Sequence, residues 1–107
     1  MNADRLTVDI DRSQPSIVVV SLVGELDIVS AGELQETLEG VIAESPDTIR
    51  LDLSGLSFID STGLSSFIAA HKAAEERGST LEFTGVSAQT RRLMDVTKLS
   101  DLFTFVD

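Results

Sequence analysis

LDLSGLSFIDSTGLSSFIAAHKAA, residues Leu51 to Ala74, decides how this chain folds. Leu51 and Leu53 alternate with Asp52, the period of a strand with one apolar face. Ser54 and Gly55 read as a polar turn, and Leu56, Phe58 and Ile59 as an apolar approach to Asp60-Ser61-Thr62-Gly63. Beyond Gly63, the residues Leu64, Phe67 and Ile68 recur at i, i+3 and i+4, with Ala74 extending the same side. That spacing predicts a helix over about Ser61 to Arg77, with Gly78 closing it as a left-handed cap. The order is strand, loop, helix. The hydroxyls of Ser61 and Thr62 therefore sit where a helix offers unpaired N–H groups and the positive end of its dipole. Two uses of a serine there stand side by side. It can cap the helix, or it can be a modification site whose phosphate the helix end tolerates. Gly63 either lets a partner come close to Ser61 or only eases the entry turn. Asp60 reads as a cap or brace of the loop.

Upstream, Leu6, Val8 and Ile10 alternate with Thr7, Asp9 and Asp11, as in a half-buried strand near a sheet edge. Ser13-Gln14-Pro15-Ser16 is a turn, so this strand and the next form a hairpin. Ile17-Val18-Val19-Val20 and Leu22-Val23 predict a central strand covered on both faces. Gly24-Glu25-Leu26-Asp27 leaves the sheet, and Ser30-Ala31-Gly32-Glu33 has the form of a capping box. Ala31, Leu34, Leu38, Val41 and Ile42 then mark one helical face, which Ser45-Pro46-Asp47 ends. Downstream, Leu81-Glu82-Phe83 is a further strand, and Ser87 caps a helix running to about Val96. Leu99, Leu102, Phe103 and Phe105 are expected to return apolar groups to the core through a short helical turn and a last edge strand. Strands alternating with helices after a hairpin give an α/β fold. The expectation is a single domain over residues 1–107, with a mixed sheet of four to five strands and about three to four helices packed on it.

Composition narrows the function. There is no cysteine and only one histidine, so neither a disulfide framework nor a zinc site is expected. Eighteen acids against 8 bases give a net charge of -10. That balance disfavours direct nucleic-acid binding, which needs a basic footprint, and suits either a basic partner or simple solubility. Five Phe with no Trp or Tyr leave little material for a base-stacking platform. Met1 to Arg5 has no apolar signal core, and no run reaches the length of a membrane span, so a cytoplasmic protein without membrane partners is expected. Catalysis is poorly supported. Ser61 is not in a Gly-x-Ser-x-Gly elbow, and there is no Gly-rich phosphate loop with a lysine. His71 lies ten residues along the helix from Ser61, about 15 Å at the helical rise, too far to act as its base. Asp52 and Asp60 do not form the acidic set of a phosphoacceptor receiver. The reading is a non-enzyme, a surface that other proteins act on. A small module that binds anions at the Ser61–Gly63 helix end is an alternative.

Asp60-Ser61-Thr62-Gly63-Leu64, entered from Leu56-Ser57-Phe58-Ile59, resembles the phosphorylation-site signature of the bacterial anti-sigma factor antagonists (anti-anti-sigma factors) of the STAS domain family. Leu22-Val23-Gly24-Glu25-Leu26-Asp27 resembles the family's exit from its second strand, and Val86-Ser87 through Arg92-Leu93-Met94 to Leu99 its last conserved helix. The three elements, in order, span about Leu6 to Phe105. The resemblance implies that Ser61 is phosphorylated by an anti-sigma factor that is also a serine kinase. Unphosphorylated, such a protein binds that kinase and releases a sigma factor; a PP2C-type phosphatase restores it. Magnesium and nucleotide then belong to the kinase, and the chain itself needs no cofactor and no metal. The implied partner-binding residues are Glu25, Asp27, Ser30, Asp60, Ser61, Thr62, Gly63 and Leu64. For Glu25, Asp27 and Ser30 a solvated loop and a helix cap is the competing reading. The same family also implies another use of this fold, as a scaffold subunit of a stress-sensing or lipid-transport complex. Many members continue into one more helix after the last strand, a feature this sequence does not show before Asp107.

Overall fold

The alternating run Leu6–Asp11 forms β1, and the turn at 13–16 returns the chain antiparallel as β2 (Ile17–Leu26). The computed structural model describes residues 6–106; the ends of the expected domain, residues 1–5 and 107, lie outside them. After β2 come α1 (Ala31–Ala43), β3 (Thr48–Ile59), α2 (Ser61–Glu76), β4 (Thr80–Thr84), α3 (Ala88–Val96), a short 3-10 turn (Leu99–Asp101) and β5 (Thr104–Phe105). The sheet order is β1-β2-β3-β4-β5, with only the β1–β2 pair antiparallel. Each parallel neighbour is thus reached through a helical crossover. Such crossovers are right-handed and put consecutive helices on one face of the sheet.

Burial follows that geometry. Val18, Val20 and Leu22 of β2, Ile49, Leu51 and Leu53 of β3, and Leu81 and Phe83 of β4 share one cluster with Leu34, Leu38 and Val41 of α1, Phe67 and Ala74 of α2, and Met94 of α3. The expected α1 stripe is buried at all five positions. The aromatic residues close the core under β4 and β5: the Phe83 ring lies 5.1 Å from Phe67, 4.7 Å from Phe103 and 5.9 Å from Phe105. The Arg91 guanidinium sits 3.9 Å over the Phe105 ring. Phe103 is buried as expected, but Leu102 is exposed, because the 3-10 turn rotates it away from the sheet.

Two expectations are corrected. β2 is not covered on both faces. Its second face is half-buried, and the register pairs Val19 with Arg50, Ser21 with Asp52 and Arg50 with Glu82. Arg50 Nε meets Glu82 Oε1 at 2.6 Å there. A face carrying these charges cannot be roofed by apolar helices; the β-branched run reflects strand propensity as well as burial. Nor do Ser54 and Gly55 form a turn. β3 runs through them and stays paired with β2, with register shifts between Ser21 and Val23 and between Gly24 and Glu25. A Cβ on Gly55 would stand 2.8 Å from Val23 Cγ2 and 3.1 Å from the Leu22 carbonyl oxygen. The glycine admits close approach of two strands, which a strand-interior glycine often marks. β2 and β3 thereby extend beyond β4 and end together, with Leu26 opposite Ile59.

Phe83 is fully buried at the meeting point of three other rings. Phe83→Ala is expected to cost about 3–5 kcal/mol of stability by cavity formation. Urea unfolding measures this directly; a loss under about 1 kcal/mol would show that the aromatic cluster is not the core's keystone.

Candidate functional site

The site grows from the joint ends of β2 and β3. The Asp60 amide donates to the Leu26 carbonyl at 3.2 Å, tying the second strand's end to the loop after the third. Asp60 is extended and is the N-cap of α2: its Oδ1 accepts from the Gly63 amide at 3.0 Å, and its carbonyl accepts from the Leu64 amide at 3.0 Å. Capping therefore falls to Asp60. Ser61 is the first helical residue and is exposed, and its Oγ has no hydrogen-bond partner among the described residues. Thr62 is half-buried beside it.

Gly63 and Leu64 face the other way. A Cβ on Gly63 would stand 2.8 Å from both Ile59 Cγ1 and Leu26 Cγ, so this glycine presses the first turn of α2 onto the two strand ends. It does not open a path toward Ser61. Leu64 is 4% exposed and belongs to the core. Of the five-residue motif, Ser61 and Thr62 offer side chains to the outside, while Asp60, Gly63 and Leu64 fix how they are offered.

A second internal network shapes the loop between β2 and α1. Asp27 Oδ1 accepts from the amides of Val29 at 3.0 Å and Ser30 at 3.1 Å. Ser30 Oγ donates to the Glu25 carbonyl at 2.9 Å and accepts from the Asp27 amide at 3.0 Å. The expected capping box is absent, since the Ser30 side chain makes no cap bond to α1. Its hydroxyl is used on the strand end instead, and the Asp27 carbonyl takes the Ala31 amide at 2.8 Å. Asp27 and Ser30 are both buried. What their turn leaves outside is apolar: Ile28 is 74% exposed and Val29 69%. Phe58, paired in register with Glu25, is 50% exposed. Glu25, Asp27, Ile28, Val29, Ser57, Phe58 and Asp60 line one shallow depression. The two strand exits thus bring Glu25, Asp27 and Ser30 beside the Asp60 loop, with Asp27 and Ser30 turned inward.

His71 packs edge-on against Phe103, with ring centroids 5.9 Å apart, and its Nε2 lies 3.8 Å from Glu75. No group of three or more metal-ligating side chains occurs among the described residues.

The sequence profile of the STAS domain matches residues 10–107. The chain belongs to the STAS domain family. This STAS domain is 32% identical to the anti-sigma-B factor antagonist of Listeria monocytogenes over 97 residues, which cover 91% of this chain and 85% of that protein. It is 33% identical to the protein of the same name from Bacillus subtilis, again over 97 residues, with 91% and 87% covered. The crystal structure of an anti-sigma factor antagonist from Mycobacterium paratuberculosis superposes with a TM-score of 0.85 at 27% identity, covering 98% of this chain and 89% of that one.

The sequence reading of the STAS domain missed Ile28, Val29 and Phe58 as surface residues. A signal was present: Ile28-Val29 is an apolar pair that fits neither the strand before it nor the helical stripe after it.

Gly63→Ala is expected to destabilise the domain by about 1–3 kcal/mol through overpacking against Leu26 and Ile59. Asp60→Ala is expected to cost about 1 kcal/mol through loss of the cap. Thermal melting of both variants checks this; a Gly63→Ala protein as stable as the parent would mean that α2 does not rest on the strand ends.

Proposed function

We propose that this STAS domain is an anti-sigma factor antagonist controlled by phosphorylation of Ser61. Unphosphorylated, it binds an anti-sigma factor that is also a serine kinase, and a sigma factor is released. The kinase, using its own nucleotide and magnesium, phosphorylates Ser61 and the complex dissociates; a PP2C-type phosphatase resets the chain. The domain acts as the kinase's substrate and partner, not as an enzyme, and works in the cytoplasm, where sigma factors act. The observation that carries the reading is Ser61 itself: an exposed hydroxyl at the first position of α2, with no hydrogen-bond partner among the described residues. Membership of the family and identity above 30% to two anti-sigma-B factor antagonists support it. No described helix is long and apolar enough to cross a membrane.

Magnitudes determine how the switch works. A phosphate adds about -1.5 to -2 charge at neutral pH. The helix end favours it by about 0.3–1 kcal/mol, and the neighbouring Asp60 carboxylate opposes it by a similar order. The two nearly cancel, and Ser61 Oγ gives up no hydrogen bond among the described residues, so the fold is retained. In a dry interface an unmatched charge costs several kcal/mol, and each 1.4 kcal/mol is about tenfold in affinity. The switch is therefore blockage at the interface. The chain's net charge of -10 already draws a basic partner, and a phosphate strengthens that long-range pull. The loss must then lie in dissociation.

Ser61→Ala is expected to keep binding and to be insensitive to the kinase. Ser61→Asp, with one charge and no tetrahedral oxygens, should bind about tenfold more weakly, through a faster off-rate. Surface plasmon resonance against the purified kinase separates the rates; a folded Ser61→Ala that no longer binds would make the hydroxyl itself the contact. Tryptic mapping of residues 51–72 from stressed and unstressed cells locates the phosphate. A peptide unphosphorylated under every condition would shift the reading to a STAS scaffold.

A further inference from the structure

We infer that Ile28, Val29 and Phe58 form the apolar centre of the surface on which the kinase docks, and that the occupant is a protein face with an apolar hollow rimmed by Lys and Arg. This rests on the reading of Ser61 given above and names the part of the surface that supplies affinity. Four observations converge on it. The three side chains are among the most exposed large apolar groups of the described residues, and they line one depression together with Glu25 and Asp60. Their exposure is imposed by structure: the buried Asp27–Ser30 network holds the turn that turns Ile28 and Val29 outward. Phe58 is the only one of the five Phe absent from the core and its packed fringe. The depression is continuous with the phosphoacceptor loop, because Asp60 lines it and Ser61 follows in the chain.

Contiguous exposed apolar groups rimmed by polar ones mark interaction sites, and binding energy concentrates in such centres. Charge selects the occupant. A second copy of this chain would bring Asp60 against its own equivalent, on two molecules that each carry -10. An anionic lipid surface is disfavoured for the same reason. A basic-rimmed protein gains from the same charges.

The test is the Ile28→Ser/Val29→Ser/Phe58→Ala triple variant, with Val96→Ser/Leu102→Ser, two exposed apolar residues outside the depression, as the comparison. Both are titrated against each purified anti-sigma factor kinase of the source organism, after circular dichroism has shown the parental fold. The triple variant should bind about 100-fold more weakly or worse and lose Ser61 phosphorylation in proportion, while the comparison variant binds like the parent. Parental binding should weaken as salt rises. A triple variant that binds normally while Ser61→Asp does not would overturn the docking surface and leave the Ser61 reading standing. A parent that neither binds nor is phosphorylated by any of the kinases would remove both. Should the parent form dimers, or sediment with phosphatidylglycerol vesicles, in a way that the triple variant abolishes, the occupant would be a second copy or a membrane and the inference would be wrong.

Discussion

The parallel pairing of β2 with β3 is the constraint on which the rest of this molecule depends. It runs past the end of β4, through the register shifts opposite Gly55, to Leu26 and Ile59. Without that extension there would be no shared strand end for α2 to rest on. Gly63 packs directly onto both side chains, and the Asp60 amide reaches back to the Leu26 carbonyl. Two glycines with no role in chemistry thus set the position of Ser61. One lets the strands approach; the other lets the helix settle on them.

Around that strand end, polar and apolar residues exchange their usual places. Asp27 and Ser30 turn inward to satisfy a tight turn, with donors and acceptors matched at hydrogen-bond distance. Ile28, Val29 and Phe58 turn outward. Buried polar groups that are fully paired give rigidity, and exposed apolar groups are a cost unless something covers them. A preformed turn also limits the side-chain and loop ordering that binding would otherwise demand. Ser61, by contrast, contributes no side-chain hydrogen bond to the described structure.

The sequence alone was enough for the element order, the α1 stripe, the Ser87 cap of α3, whose Oγ accepts from the Thr90 amide, and the left-handed Gly78 after α2. These depend on residues within a few positions of one another, and local period and cap chemistry are written locally. Ser61 at a helix start, with Asp60 as its brace, is legible for the same reason. The turn read at Ser54-Gly55 failed because a neighbouring strand claimed those residues, and the capping box read at Ser30 because a competing contact five residues back took its hydroxyl. Gly55 answers to Val23 and Leu22, and Ser30 to the Glu25 carbonyl.

What the sequence by itself determined, then, is an α/β domain of the STAS family with a serine, Ser61, at the head of its central helix. Tertiary structure alone decided which neighbours of that serine reach solvent. Glu25, Asp27 and Ser30 are marked in the sequence by the family resemblance at the exit of the second strand, yet two of them are buried, and Ile28, Val29 and Phe58 are exposed where the two strands end side by side. Asp27 and Ser30 turn Ile28 and Val29 outward within one loop, but that Phe58 stands beside them is a property of the register between segments some thirty residues apart, which no periodicity within either segment encodes.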